Sequence, residues 1–156
     1  MSKKAFYTEL NNTLVALLDG ETDMIASLAN ASALLFERLE NVNWAGFYLL
    51  KGNELVLGPF QGKVACTRIP MGKGVCGTAA VAARIQRIDD VHQFDGHIAC
   101  DSASNSEIVL PLYCGDRVVG VLDIDSTLFS RFDSEDEAGL KAIALRLSEH
   151  ISRAEQ

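Results

Sequence analysis

The chain has 156 residues, of which 48% are hydrophobic and 22% charged, a balance typical of a single globular domain with a real core. Its net charge of -7 offers no basic stripe to neutralise phosphates, which argues against nucleic acid as a partner. No apolar run is long enough for a membrane span and the N-terminus lacks the apolar region of a secretory signal, so we expect one cytoplasmic domain over residues 1–156.

Two helices are predicted at the start of the chain, the first ending at Gly20 and the second capped by Thr22. Apolar residues recur at helical spacing in both segments, which predicts one buried side for each helix. These residues are Phe6, Leu10, Leu14 and Leu17 in the first helix and Ile25, Leu28, Leu35 and Leu39 in the second.

The middle of the chain begins with NWAGFYLLKGNELVLGPF, which is typical of a β-hairpin that turns at Gly52-Asn53. A long polar loop is expected later in this part of the chain, over residues 89–105, and long loops within a compact domain are usually functional or mobile. The elements expected after the hairpin are a loop over residues 61–72 with Cys66, a short helix GVCGTAAVAAR with Cys76 in its first turn, a short strand IQRI, and a polar loop over residues 89–105 with Cys100.

The C-terminal part contains two further strands, EIVLPLY and RVVGVLDID, joined at Gly115. A helix follows with a capping box from Ser134 to Glu137. Its apolar stripe consists of Leu140, Ile143, Ala144, Leu147 and Ile151. Because hairpins pair antiparallel, the predicted class is α+β, with helices flanking a central antiparallel sheet.

The four cysteines contain no C-x-x-C pair, which removes the usual zinc and thioredoxin-type motifs. His97 and Cys100 would supply only half a metal site, so no metal is expected. Cys76 has a reason for a low thiol pKa, because a helix N-terminus stabilises a thiolate, although a small packed residue explains it equally well. Cys100 stands in a polar run, where contact with solvent is expected, and Cys114 is interpreted as a passive turn residue.

The stretch GKGVCG, residues 72–77, matches the G-x-G-x-x-G pattern of dinucleotide-binding loops. We reject that interpretation, because a loop with Pro70 precedes the pattern and the predicted sheet is antiparallel. The glycines still allow backbone to approach a ligand closely, and a helix N-terminus favours an anion there.

Three acidic residues are expected on one face of the second hairpin. With a three-residue turn over residues 114–116, Glu107 opposes Asp123, whereas a two-residue turn would point Glu107 to the other face. Facing like charges destabilise a sheet, so such a cluster indicates a bound cation or a raised carboxyl pKa, although a lone D-x-D is more often a strand running into solvent. Alternation places Val118, Leu122 and Ile124 on one face and Val119, Val121, Asp123 and Asp125 on the other.

Four stretches together are more specific than any single motif: NVNWAGFYLL, LGPFQGKVACTRIPMGKGVCGTAA, DVHQFDGHIACDSASNSEIVLPL and GVLDIDS, over about residues 41–126. With them the chain resembles the free methionine-(R)-sulfoxide reductases, which are stand-alone GAF domains. The resemblance implies a GAF-like fold, and Cys114 is not part of the family pattern. The positions that match it are Trp44, Cys66, Cys76, Cys100, Glu107, Asp123 and Asp125.

The resemblance implies reduction of free L-methionine (R)-S-oxide, not of protein-bound residues, with thioredoxin as reductant and no cofactor. It implies that Cys100 is the nucleophile and Cys66 the resolving thiol, and it leaves the role of Cys76 open. The sulfoxide would convert Cys100 to a sulfenic acid, Cys66 would convert that to a disulfide, and thioredoxin would restore both thiols.

The same resemblance implies that the acidic residues and Trp44 bind the free amino acid. Glu107, Asp123 and Asp125 would hold the substrate ammonium, and one of them, with Glu107 preferred, would be the acid. Trp44 would offer an apolar wall to the substrate methyl group.

Two other functions stay open at this point: a GAF module that binds a ligand or senses redox state without turnover, and a thiol peroxidase. A sensor would be expected to carry an output domain, and peroxide has no ammonium for a carboxylate cluster to bind. GAF domains often pair, so a homodimer is a further prediction.

Overall fold

A computed structural model describes residues 1–97 and 103–154, in which four α-helices flank a six-stranded antiparallel sheet of order β3-β2-β1-β6-β5-β4. The predicted α+β class is confirmed, as are both hairpins. The elements are α1 (Lys3–Leu18), α2 (Met24–Arg38), β1 (Trp44–Lys51), β2 (Glu54–Gly62), β3 (Arg68–Pro70), α3 (Gly74–Ala82), β4 (Gln86–Ile88), a 3-10 turn (Val91–Gln93), β5 (Ser106–Cys114), β6 (Arg117–Ser126) and α4 (Ser134–Ala154).

The sheet has two differently covered faces. Helices α1, α2 and α4 pack on one side, which we call the helix face, and α3 packs on the other, the pocket face. None of these helices, within the described residues, is long and apolar enough to cross a bilayer. The helix face is filled by residues such as Leu14, Leu35, Phe47, Leu122 and Leu147, and the pocket face by Tyr48, Ile69, Ala79, Val109 and Val121.

The first two helices differ from expectation in their ends and in one position each. In α1, Leu18 is buried while Leu17 is exposed, because Leu18 continues the stripe set by Leu14. In α2 the cap is Asp23, whose carboxylate accepts the Ala26 N–H at 2.8 Å, so Thr22 is not the cap. With the helix starting there, Ile25 faces solvent.

The capping box of α4 lies one residue earlier than predicted. Asp133 accepts the N–H groups of Glu135 and Asp136 at 3.0 Å each, and Asp136 accepts the Asp133 N–H at 3.0 Å. Ser134 is therefore the first helical residue and not the cap. The apolar stripe that starts at Leu140 is buried as expected.

Residues 61–72 are not entirely a loop, because the edge strand β3 pairs antiparallel with β2 inside this segment. A strand therefore does precede the glycine-rich turn. It does not restore the dinucleotide interpretation, which requires a parallel β-α-β unit and here meets an antiparallel sheet.

The β5–β6 hairpin has a two-residue turn, Gly115-Asp116, and yet Glu107 keeps the predicted face. Cys114 opposes Arg117 at the turn, and a bulge between Leu112 and Tyr113 then shifts the register by one. The bulge leaves one residue of β6, Val119, without a partner on β5. This extra residue compensates for the short turn, so that Glu107 again faces the same side of the sheet as Asp123 and Asp125.

Two expectations for this hairpin are wrong in detail. Glu107 opposes Asp125, and Asp123 opposes Val109, so the directly facing pair is not the one predicted. Because of the bulge, Val118 packs on the pocket face and Val119 on the helix face, the reverse of simple alternation.

Candidate active site

A pocket opens on the pocket face between the start of α3, the strands β1, β5 and β6, and two loops. It brings together most of the residues singled out in the sequence, drawn from positions more than eighty apart in the chain. Its lining consists of Trp44, Tyr48, Val64, Ala65, Ile69, Lys73, Gly74, Val75, Cys76, His97, Ser104, Glu107, Asp123 and Asp125.

The three predicted carboxylates are positioned by strand pairing. Asp125 on β6 lies between Trp44 on β1 and Glu107 on β5, so these residues form one row across the sheet. Asp123 lies in the next row of the same face, opposite Gly46. Side chains two apart on a strand share a face, so all three carboxylates are directed to the pocket.

Two of these carboxylates are deeply buried without a basic partner. Glu107 and Asp123 are each 6% exposed, and neither forms an ion pair with a lysine or arginine of the described residues. Burial, followed by the charge of Asp123, raises the pKa of Glu107 well above its usual range, and burial with the charge of Asp125 does the same for Asp123. Asp123 Oδ1 is buried with no hydrogen-bond partner in the described part of the chain.

Cys76 belongs to this cluster, and its thiol pKa is raised, contrary to the helix-dipole expectation. The thiol is buried and donates a hydrogen bond to Glu107 Oε2, with Sγ and Oε2 3.9 Å apart. Burial raises the thiol pKa most, and the charges of Asp123 and Glu107 raise it further. Desolvation and two neighbouring acids thus outweigh the partial charge of the α3 N-terminus.

An aromatic wall stands on β1. Trp44 stacks on Phe60 at 5.1 Å and on Tyr48 at 5.9 Å between ring centroids, and its indole N–H donates to the Lys63 carbonyl at 3.1 Å. Tyr48 was not predicted as a site residue. Strand alternation from Trp44 was the available signal, because residues 44 and 48 share a face.

The cysteines fall into different environments. Cys66 is half-buried and disulfide-bonded, and its carbonyl accepts the Tyr48 hydroxyl at 2.9 Å. Cys76 and Cys114 carry free thiols. Cys114 pairs with Arg117 at the β5–β6 turn and does not line the pocket. Cys100, the predicted nucleophile, lies outside the described residues.

The glycine-rich turn shapes the rim of the pocket. Gly74 has φ +64°, and a Cβ at Gly77 would stand 2.7 Å from the Pro70 carbonyl oxygen, so both positions require glycine. Lys73 precedes α3 with no side-chain cap, which leaves the first N–H groups of the helix available to an anion. Lys73 and Ser104 are further lining residues that sequence patterns did not indicate.

One trio in the pocket has the composition of a cation site. Cys76, Glu107 and Asp123 each present a ligand atom, and these atoms lie within 4.8 Å of one another. The sequence argument considered His97 with Cys100 instead, because sequence spacing cannot show a site assembled from a helix and two strands. His97 lines the same pocket, and burial lowers its pKa.

Comparison with known proteins identifies the family. A model of the GAF domain matches residues 13–151. The chain is 60% identical over 152 residues to the free methionine-R-sulfoxide reductase of Escherichia coli strain K12, covering 97% of this chain and 92% of that protein.

Two solved structures extend the similarity to the fold. The free methionine-R-sulfoxide reductase from Neisseria meningitidis in complex with its substrate is 43% identical with a TM-score of 0.94, covering 99% of this chain and 92% of that one. The fRMsr of Staphylococcus aureus in complex with substrate is 51% identical with a TM-score of 0.86, covering 95% and 94%. With its GAF fold and this identity over nearly its whole length, the chain belongs to the family of free methionine-R-sulfoxide reductases, which are oxidoreductases.

Proposed function

We propose that this protein reduces free L-methionine (R)-S-oxide to L-methionine with electrons from thioredoxin. The observation that carries the proposal is the cluster of Glu107, Asp123 and Asp125 beside the aromatic wall of Trp44. Its two buried members, Glu107 and Asp123, have no lysine or arginine partner among the described residues. The 60% identity to the Escherichia coli reductase supports the same substrate.

The carboxylates select a free amino acid through its ammonium group. An ammonium donates charge-assisted hydrogen bonds, which are stronger than neutral ones. Asp123 Oδ1 is buried and lacks a hydrogen-bond partner among the described residues, a costly state that a bound donor relieves. A methionine sulfoxide within a polypeptide carries an amide instead of an ammonium and gains none of this charge pairing.

The other parts of the substrate meet groups of matching chemistry. The Trp44 and Tyr48 rings provide an apolar wall for the methyl group at sulfur. Lys73 and the first N–H groups of α3 provide positive charge and donors for the substrate carboxylate. A zwitterion therefore finds an anion site at the helix start and a cation site at the carboxylates.

The chemical sequence uses Cys100 and Cys66. The Cys100 thiolate attacks the sulfoxide sulfur, and oxygen passes to the cysteine, which yields methionine and a sulfenic acid. The Cys66 thiol then displaces that oxygen as water and forms a disulfide with Cys100. The thioredoxin dithiol reduces this disulfide and becomes a disulfide itself. Cys66 is disulfide-bonded, and its carbonyl accepts a hydrogen bond from the hydroxyl of Tyr48, a residue that lines the pocket; both observations support the resolving role.

Glu107 is the acid that protonates the sulfoxide oxygen in this proposal. Burial and the charge of Asp123 raise the pKa of Glu107, so it holds a proton where an ordinary carboxyl is ionised. A proton on the sulfoxide oxygen makes that oxygen a better group to leave the substrate sulfur.

Turnover of separated epimers tests the function. With thioredoxin and its reductase supplied, the free R epimer should be reduced, and the S epimer and N-acetylmethionine sulfoxide should not. Equal rates on the N-acetyl compound would contradict the ammonium argument. Turnover of peroxide without any turnover of sulfoxide would favour a thiol peroxidase, and binding without turnover would favour a sensor.

Single-turnover measurements on four serine variants test the thiol roles. Cys100→Ser should abolish the first turnover, and Cys66→Ser should complete one and then stall. Cys114→Ser, away from the pocket, is the matched control and should behave as wild type. Loss of the first turnover in Cys76→Ser with activity kept in Cys100→Ser would overturn the assignment. Pairing of two chains stays a prediction, to be measured by light scattering.

A further inference from the structure

We propose that Cys76, Glu107 and Asp123 form a binding site for a thiophilic divalent cation, Zn²⁺, which occupies the pocket in place of the substrate. The three side chains come from α3, β5 and β6, and their ligand atoms lie within 4.8 Å of one another. Competition between zinc and substrate for the carboxylate oxygens of Glu107 and Asp123 rests on the proposed function, whereas the binding of zinc itself does not.

The ligand atoms are near enough for one shared ion to draw them together by side-chain rotation. Zinc takes cysteine sulfur at about 2.3 Å and carboxylate oxygen at about 2.0–2.2 Å, so a sulfur and an oxygen that share one tetrahedral ion are roughly 3.6 Å apart. Cys76 Sγ and Glu107 Oε2 are 3.9 Å apart. Three protein ligands with a fourth position open to the pocket match the usual coordination of zinc at accessible sites.

A separate observation points to a ligand at this place. Asp123 is only 6% exposed and lines the pocket, and its Oδ1 has no hydrogen-bond partner among the described residues. Native proteins rarely leave a buried carboxylate oxygen unsatisfied. A cation at the trio completes the coordination of this oxygen and supplies the positive partner that these two buried carboxyls lack among the described residues.

The ligand set decides which ion fits. One sulfur and two carboxylate oxygens combine a soft donor with hard ones, which zinc accepts, whereas magnesium and calcium prefer oxygen alone. The Cys76 thiol and the protonated Glu107 carboxyl must each release a proton to bind, and metal coordination drives such losses in proteins generally. The ion thereby takes the oxygens that would otherwise accept the substrate ammonium.

Cobalt(II) is the spectroscopic probe for the site, used on the oxidised full-length protein. In that form Cys66 is disulfide-bonded and Cys76 and Cys114 are the free thiols in the described part of the chain. A near-ultraviolet thiolate-to-cobalt band should appear with wild type and with Cys114→Ser, and it should be absent in Cys76→Ser. A band that survives in Cys76→Ser, or disappears in Cys114→Ser, would overturn the site.

Zinc calorimetry on the same proteins gives the affinities. Wild type should bind one ion, and Asp123→Asn, which keeps the shape of the side chain, should bind at least about tenfold more weakly. Unchanged affinity in Asp123→Asn would overturn its role as a ligand, even if Cys76→Ser failed to fold. Free methionine (R)-sulfoxide should raise the apparent Kd for zinc. If Cys76-dependent binding persists without such competition, the shared oxygens are wrong and the ion site stands.

Discussion

At the start of α4, the buried carboxylate of Asp136 is paired with other side chains, whereas in the pocket Glu107 and Asp123 are buried almost as deeply without a lysine or arginine partner among the described residues. Asp136 is 1% exposed and accepts hydrogen bonds from Lys3 Nζ at 2.8 Å and the Tyr7 hydroxyl at 2.7 Å. Each of its oxygens is therefore satisfied by the protein itself.

The pocket carboxylates contact a thiol and one another instead. Removing a carboxylate from water is costly unless it is paired. The pairing of Asp136 therefore stabilises the fold, whereas Glu107 and Asp123 remain available to a positively charged ligand. We therefore expect a charge-removing substitution to lower stability at Asp136 and to lower catalytic efficiency at Glu107 or Asp123.

The largest effect is expected for Asp136→Asn, which should lower the free energy of unfolding by about 3 kcal/mol, because hydrogen bonds to a buried charge are lost. Its kcat/KM per folded molecule should be unchanged. Asp133→Asn is the matched control, since its ion pair with Lys3 is half-exposed and such pairs contribute at most about 1 kcal/mol. Urea unfolding measures both. Equal stability of the two variants would remove the distinction between the regions.

Asp123→Asn and Glu107→Gln should show the opposite pattern. Each loses charged hydrogen bonds to the substrate of roughly 1.5–3 kcal/mol, which is roughly a tenfold to hundredfold loss in kcat/KM. Asp125→Asn should fall in the same range. Stability should be kept or raised, because like-charge repulsion is relieved. Steady-state kinetics beside urea unfolding checks this, and wild-type kinetics with lowered stability would make these carboxylates structural.

If Glu107 is the acid, its variant should differ from the other two in kind. Glu107→Gln should lose more in kcat than in KM, because proton donation acts on the chemical step. Asp125→Asn should act mainly on KM. A loss confined to KM in all three variants would leave the acid elsewhere.

The two buried pocket carboxyls, Glu107 and Asp123, also predict how stability depends on pH. Burial raises the pKa of Glu107 and of Asp123, so the folded state holds protons that the unfolded chain releases near the ordinary carboxyl pKa of about 4. Their contribution is complete below that pH and is lost as pH rises through the raised folded pKa. Asp133 acts in the opposite sense, because Lys3 lowers its pKa and its contribution is lost as pH falls.

Urea midpoints measured from about pH 5 to about pH 9 should therefore decrease in wild type with rising pH. The combined Glu107→Gln and Asp123→Asn variant should show a flatter profile. Identical slopes in the two proteins would mean that these carboxyls are not the groups that titrate on unfolding.

The smallest effect concerns Lys73, an exposed charge at the pocket rim. Lys73→Gln should raise KM for the sulfoxide by less than about tenfold at low salt, with kcat unchanged, because an exposed charge pair is weak and screened by salt. Lys51→Gln, at the distant β1–β2 turn, is the control. A difference that persists at high salt would mean that Lys73 acts through more than its charge.

Much of this arrangement could be predicted from local patterns. The hairpin at Gly52-Asn53, the stripe of α4 and the shared face of Asp123 and Asp125 follow from periodicity, which each segment carries by itself. The capping box of α4 was misplaced by one residue, because Asp133 and Ser134 are both good caps and packing decides between them.

The parts that could not be predicted depend on contacts between distant segments. The partner of Glu107 depends on a bulge that no local pattern indicates. A lowered pKa was one of two interpretations of Cys76, because the sequence shows a helix start but neither the burial of the thiol nor the two carboxylates brought beside it from other strands. Tyr48 lines the site and stacks on Trp44. Strand alternation places the two residues on the same face, but it does not distinguish Tyr48 from other residues of that face.

The bulged residue Val119 makes the hairpin intolerant of single insertions and deletions. Removing Val119 alone, or lengthening the Gly115-Asp116 turn by one residue, would reverse the facing of one strand relative to the other, and would turn the carboxylates of one strand toward the apolar helix face. Only a paired change, a longer turn together with loss of the bulge, keeps every side chain in place. Length variation among functional relatives should therefore be absent here or come in compensating pairs, although the turn itself is far from the pocket.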